Sequence, residues 1–344
     1  MWPGAGTCER AAEVNIPSCE VHVRGSVRSC AMENNSLLCT ESLSVSRGQH
    51  DPVIFADQRV LDNLLAEEAC THIEHNYFQT LQKDLTPNMR SVVVGWMMEV
   101  CEELSCDQNV YPLAVRLLDL FLSKIPTQRC NLQLLGATCL HVASKLRSTQ
   151  LISTETMVYY TDNSIKAAEM NKLELLLLVV LGWNVTPVTS SDFVEHILTR
   201  VPWSSEKKVL RQHAHVLAQL CCSNADPELV RLRPSAVACG ALVAAARGLN
   251  IPSKDKVLAH VCHLTKTKEA DVLYVVDRVE ANVQEHQRTA AMQQQMAQQH
   301  QKLVASSSSS GNSSLALDII IDENDDAEAS KPITPTDIQD IYFD

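Results

Sequence analysis

The chain has 344 residues, 45% hydrophobic but only 4% aromatic, and a formal net charge of −12. That is enough apolar material for one large or two ordinary cores, and abundant Leu, Ala and Val with few aromatics favour helices over strands. Nine acids against one lysine give residues 315–344 a charge of −8, which leaves −4 for the rest; with no basic excess to neutralise phosphates, direct nucleic-acid binding is not expected.

Residues 1–52 mix Gly, Ser, Asn, Arg and Glu without a hydrophobic period and are expected to form a disordered arm. Within that arm stands the stretch LLCTE at 37–41. Residues 53–85 form an N-terminal helix region, with apolar residues at helical spacing from Ile54 to Leu65 and an end expected near His72. Thr86 and Pro87 then make a cap and first-turn pair, followed by Met89, Val92, Val93, Trp96, Met97 and Val100 on one amphipathic face. Four further helices are expected near 111–124, 131–146, 154–161 and 167–181, with Gly182 as the residue that closes the last. That set spans 86–187. After Pro187 the pattern restarts, and residues 188–285 contain five more segments near 190–200, 206–222, 233–247, 254–263 and 268–286. The third helix of each set is rich in small residues, GATCLHVAS at 136–144 and AVACGALVAAA at 236–246. Small side chains let neighbouring backbones approach, so the expected fold is all-α: two related five-helix domains, each built round its third helix. Residues 286–344 carry a Gln and Met run, five serines at 306–310 and the acidic stretch, and read as a disordered tail.

No apolar run approaches the roughly 20 residues of a membrane span, and no basic region followed by an apolar one opens the chain, so a soluble intracellular protein is expected. The thirteen cysteines lack CxxC spacing and are odd in number, which points to neither a disulfide framework nor a zinc site. His260, Cys262 and His263 are the closest cluster, but side chains so near in sequence diverge round a helix. No metal or cofactor is expected. Phosphate-binding, nucleophile-elbow and HExxH patterns are all absent, so the chain does not read as an enzyme.

Two charges stand where helix packing predicts apolar residues. Lys145 ends the small-residue helix, and Glu174 precedes the apolar run Leu175 to Leu181, a helix that this composition would bury. An unpaired buried charge costs several kcal/mol, which leaves two arrangements open: an internal Lys145–Glu174 ion pair, or an outward pair that grips a partner.

The segments MRSVVVGWMMEVCEEL, YPLAVRLLDLFLS, LQLLGATCLHVASKL, YYTDNSI and KLELLLLVVLGWNV, in that order and spacing, resemble the cyclin box of a D-type cyclin over roughly 54–283. LLCTE resembles the LxCxE motif of that family, and TPTDIQDI at 334–341 resembles its C-terminal phosphodegron. The resemblance implies two tandem cyclin-box domains and a non-catalytic subunit that binds and activates a cyclin-dependent kinase of the D-cyclin-dependent class. It implies kinase contacts at Lys145, Glu174 and Arg147, although cyclins commonly carry glutamate shortly after this lysine and here Arg147 is followed by Ser148, which implies that part of that contact is weaker or rearranged. It implies a docking patch of Met89, Val92, Val93 and Trp96 with Glu99 and Gln133 at its rim, open to RxL-type peptides and Cip/Kip-type inhibitors. The same periodicity makes part of that patch core, and one face cannot fully serve both.

In an extended segment alternate residues share a face, so Leu37, Cys39 and Glu41 project together. The family reader of that motif is a retinoblastoma-type pocket protein. Thr334 before Pro335 is held extended; its phosphorylation would add about −1.5 to −2 charge for a ubiquitin ligase receptor to read. The family pattern implies residence in nucleus and cytoplasm, with phosphorylation-triggered export and destruction. A transcription factor of the IIB type shares the fold but needs a basic face and a zinc ribbon, which this chain lacks. A transcriptional cyclin and a helical scaffold without a kinase partner are the remaining alternatives.

Overall fold

A computed structural model of the chain describes residues 51–201, 207–249, 251 and 254–308. LLCTE and Thr334 lie outside the described residues. All regular elements described are helices. Instead of one N-terminal helix there are two, α1 (Pro52–Ala56) and α2 (Gln58–Cys70), because Asp57 adopts extended backbone between them. Its carboxylate accepts the N–H of Arg59, so the residue that ends one helix caps the next. A single turn, α3 (Tyr77–Thr80), leads to the first set of five: α4 (Pro87–Glu103), α5 (Val110–Leu122), α6 (Leu132–Arg147), α7 (Thr154–Tyr160) and α8 (Ala167–Val180). Thr86 caps α4 by accepting the Met89 N–H at 3.3 Å, with Pro87 in the first turn. Gly182 closes α8 with φ +61°, as its lack of Cβ allows.

The second set comprises α9 (Ser190–Arg200), α10 (Lys207–Ser223), α12 (Pro234–Gly248), α13 (Lys254–Thr265) and α14 (Glu269–Ser308), with a short α11 (Pro227–Arg231) between α10 and α12. The helix α14 runs to Ser308, well past the end expected near Glu285. Gln, Ala, Met and Lys beyond Glu285 are strong helix formers, so low sequence complexity there does not break the helix.

Two hydrophobic cores correspond to the two sets. In the first, Val93, Val100, Leu113, Leu117, Leu135, Leu140 and Met157 are fully or almost fully buried; in the second, Phe193, Ile197, Leu210, Leu242, Val261 and Val275 are. Each third helix sits at the centre. A Cβ added at Gly136 of α6 would lie 2.8 Å from Val93 Cγ1 of α4, and one added at Gly240 of α12 would collide with Val275 of α14. The helix α2 precedes the first set in sequence yet packs on the second, contributing the buried Leu61 to its core. Glu68 fixes that docking: its buried carboxylate accepts the Ser235 N–H at 2.6 Å and hydroxyl at 2.8 Å at the start of α12. Burial raises the Glu68 carboxyl above its ordinary value, against the lowering effect of both Ser235 bonds.

A buried ion pair joins the two domains. Arg90 of α4 donates to both Asp119 oxygens of α5 at 2.8 and 2.7 Å, and through its other nitrogen to the carbonyls of Cys222 and Asn224 at 2.7 and 3.1 Å. Tyr77 of α3 donates to the same Asp119 at 2.8 Å. Both charges are buried. Burial pulls the Arg90 guanidinium down, but the Asp119 charge and hydrogen bonds outweigh it and hold it above its ordinary value. Beside this joint, the Ser91 hydroxyl donates to the Ser223 carbonyl at 2.7 Å.

Removing one member of such a pair leaves a buried charge, so Arg90→Ala is expected to lower stability by about 3–5 kcal/mol in urea unfolding; a loss under ~1 kcal/mol would refute the joint, since that is what exposed pairs give. Gly240→Ala is expected to destabilise by about 1–3 kcal/mol through overpacking. Gly95→Ala, whose Cβ would meet nothing within 4 Å, should stabilise by about 0.5–1 kcal/mol, and the opposite ranking of the two variants would contradict the packing described.

Candidate functional site

The C-terminal end of α6 and the exposed side of α8 form one surface. Lys145 Nζ donates to Glu174 Oε1 at 2.6 Å, so the two charges expected to matter are paired; Lys145 is exposed and Glu174 half-buried. The pair is therefore neither internal nor open, and combines features of both arrangements that the sequence left standing. His141 stands behind it. Its Nδ1 lies 2.6 Å from the Ile152 carbonyl, which can only accept, so that nitrogen carries the proton and Nε2 faces Glu174 Oε2 at 3.8 Å. Ser144 accepts the Ile152 N–H at 3.1 Å, which ties the loop after α6 back onto the helix.

The helix α8 is not buried all round, as its composition led one to expect. It lies on the outside of the domain, with Met170 and Leu177 turned inward and Leu175, Leu176 and Val179 exposed by 59, 46 and 62%. Leu146, Leu151 and Trp183 are also exposed large apolar residues of these two elements and the loops after them. Trp183 follows Gly182 with φ +64°, a backbone conformation that non-glycine residues seldom adopt. Leu175, Leu176 and Val179 stand at i, i+1 and i+4 and so lie on one side of α8.

Arg147 is turned elsewhere. It pairs with Asp192 of α9 at 3.1 Å, and Asp192 also accepts the Thr189 N–H at 2.8 Å in the capping box that starts α9. Ser148 donates to Asp107 at 2.8 Å, so the residue that departs from the family pattern is used to anchor the loop between α4 and α5.

The expected docking patch divides between core and surface. Val93 is fully buried against Gly136, and Trp96 is 5% exposed. Gln133 is buried as well, accepting the Ser164 hydroxyl at 3.2 Å. Met89 and Val92 are half-buried and Glu99 is exposed. The periodicity that selected these residues is the periodicity of the core face, which explains why Val93 and Trp96 go inside. The Trp96 indole nitrogen is buried and has no hydrogen-bond partner in the described structure.

Arg90, Asp119 and Arg116 stand outside the site expected from the sequence. A signal was available: α5 is buried along its whole length, so Arg116 and Asp119 interrupt an otherwise apolar interior run and require internal partners. Arg116 donates to the Thr71 carbonyl at 2.6 Å, and burial lowers its guanidinium below the ordinary value.

Comparison with known proteins agrees with this architecture. Residues 59–186 match the family described as cyclin, N-terminal domain, and residues 188–310 match cyclin, C-terminal domain. The chain is 43% identical to the G1/S-specific cyclin-D2 of Xenopus laevis over 238 residues, which cover 67% of this chain and 81% of that protein. It is 41% identical to human G1/S-specific cyclin-D1 over 227 residues, covering 66% and 76% of the two chains. The solved structure of a viral cyclin from herpesvirus saimiri superimposes with a TM-score of 0.58 at 23% identity, covering 66% of this chain and 97% of that one, and so shares the fold. Cyclins are regulatory subunits of kinases and not themselves enzymes. On these matches and on its two tandem helical domains, the chain belongs to the cyclin family and, within it, to the D-type cyclins.

Proposed function

We propose that this cyclin activates a cyclin-dependent kinase in the G1 to S transition through the surface formed by α6 and α8. The observation that carries the reading is the group of exposed apolar residues, Leu175, Leu176 and Val179 with Leu146 and Leu151, on the two elements that carry the Lys145–Glu174 pair. A kinase helix laid on this surface covers the apolar side chains and finds both charges at its edge. Activation needs that mobile helix held where its glutamate pairs with the ATP-binding lysine. The cyclin supplies higher affinity for that conformation than for the inactive one, and so shifts the population. Arg147, engaged with Asp192, then serves to orient the end of α6 rather than to meet the kinase directly.

Substrate choice is assigned to other parts of the chain. Leu37, Cys39 and Glu41 present an LxCxE face to a retinoblastoma-type pocket protein. At the first helix of the box, Met89, Val92 and Glu99 offer an edge for RxL-type peptides and Cip/Kip-type inhibitors, with Gln133 beneath it; the unpartnered Trp96 N–H supports that reading, because a buried donor without a partner is costly. Phosphorylation of Thr334 creates the mark for a ubiquitin ligase receptor and controls passage between nucleus and cytoplasm.

Purified kinase assayed with and without the chain tests the main reading. Wild type is expected to stimulate phosphorylation of a pocket protein, and Lys145→Ala plus Glu174→Ala to reduce that stimulation by about tenfold or more, equivalent to ~1.4 kcal/mol of lost binding. Stability of the double variant should change by less than ~1 kcal/mol, as for exposed pairs; full stimulation by a folded double variant would move the contact elsewhere. Replacing Cys39 and Glu41 with Ala is expected to abolish capture of the pocket protein while stimulation of a short peptide substrate persists. Undiminished capture by that variant would remove the motif from the account.

A further inference from the structure

The C-terminal turn of α4 brings two cysteines together. Its last residues close in a left-handed turn at Ser105, with φ +49°, in which Ser105 N–H donates to the Glu102 carbonyl at 3.0 Å and Cys106 N–H to the Cys101 carbonyl at 2.9 Å. These are the paired bonds of a Schellman motif, whose geometry folds the residue after the turn back onto the one five positions earlier. Here those two residues are Cys106 and Cys101, held together by the 2.9 Å bond from the Cys106 N–H to the Cys101 carbonyl. Cys101 is buried and Cys106 half-buried. The contact separates them chemically: the hydrogen bond from Cys101 lowers the Cys106 thiol, while the same bond and burial raise that of Cys101. Elsewhere burial pushes the Cys222 thiol up to about 11 and that of Cys239 up to about 12.

We propose that Cys101 and Cys106 are a peroxide-responsive pair, in which Cys106 is oxidised first and Cys101 resolves it to an intramolecular disulfide across the end of α4. The accessible thiolate is the nucleophile in such chemistry. Cys106 sulfur attacks one peroxide oxygen, the O–O bond breaks, and one water leaves with a sulfenic acid on Cys106. Cys101 sulfur then attacks Cys106 sulfur, the S–O bond breaks, and the departing hydroxide takes the Cys101 proton as a second water. Two thiols lose two electrons in total, and one hydrogen peroxide is reduced to two waters. Asp107, next to Cys106, is the acceptor for Ser148 at the end of α6, so the disulfide fixes the loop that braces that end.

The full-length chain is treated with increasing hydrogen peroxide, the remaining thiols are alkylated, and the tryptic peptide 91–116 is weighed; Cys101 and Cys106 are its only cysteines. The count of alkyl labels is the readout, because Met97 and Met98 in the same peptide also gain oxygen. Label count is expected to fall from two to none, and dithiothreitol to restore both. In Cys101→Ser, Cys106 should be trapped as a sulfenic acid by dimedone, whereas in Cys106→Ser the single label on Cys101 should persist. Exposed Cys70 is the internal standard: two labels remaining on 91–116 once Cys70 has lost its own would overturn the proposal. So would linkage of this peptide to a different cysteine peptide. The wild-type result decides the disulfide without reference to whether either variant folds.

Discussion

The seating of the first helical domain on the second depends on one buried ion pair, Arg90 with Asp119. The two charges lie in an interior where isolated ions are intolerable, and the geometry that makes them tolerable uses groups from several elements: the Tyr77 hydroxyl and the carbonyls of Cys222 and Asn224. Arg90, with Ser91 beside it, holds α4 of the first helical domain on the end of α10 in the second. A buried pair of this kind is a poor source of net stability but a strong selector of arrangement, because every other packing leaves a charge unmatched. Its role here is specificity of assembly: it fixes how α4 and α5 sit against the end of α10.

Around that joint the two domains repeat one solution. A central helix approaches its neighbours closely because glycine stands at the crossing, Gly136 under Val93 and Gly240 under Val275. The repeats then diverge in use. In the first, α6 carries Lys145 in its last turn beside an α8 with an uncovered apolar side; in the second, α12 is buried almost throughout. The first copy of the fold thus leaves an apolar side in water at α8, next to the charged end of α6. Arg147 reaching Asp192 and Glu68 holding the start of α12 tie earlier helices to the second copy.

Much of the fold was legible because local signals and global packing agreed. The Thr86–Pro87 start, the Gly182 stop and the two small-residue helices all stand where the pattern put them. The misses have physical causes. Asp57 splits the N-terminal helix, since a cap for one helix is a stop for the one before it. Composition alone suggested that α8 would be buried, yet hydrophobic content cannot distinguish a helix wrapped by its own domain from one left open for another molecule. Val93 and Trp96 were selected by a period that core and docking face share, and only packing separates them. Arg90 was hidden for another reason: its partners lie 29 residues away in α5 and at the C-terminal end of α10, separations at which a single sequence carries no pairing signal.

The central claim is that α6 and α8 of the first domain receive the kinase. Amide hydrogen exchange of the full chain, alone and saturated with a cyclin-dependent kinase, reads this directly. New protection concentrated at residues 145–151 and 172–183, with α12 and α13 unchanged, is the predicted result. Protection confined to the second domain, with α8 exchanging as it does in the free chain, would contradict the account.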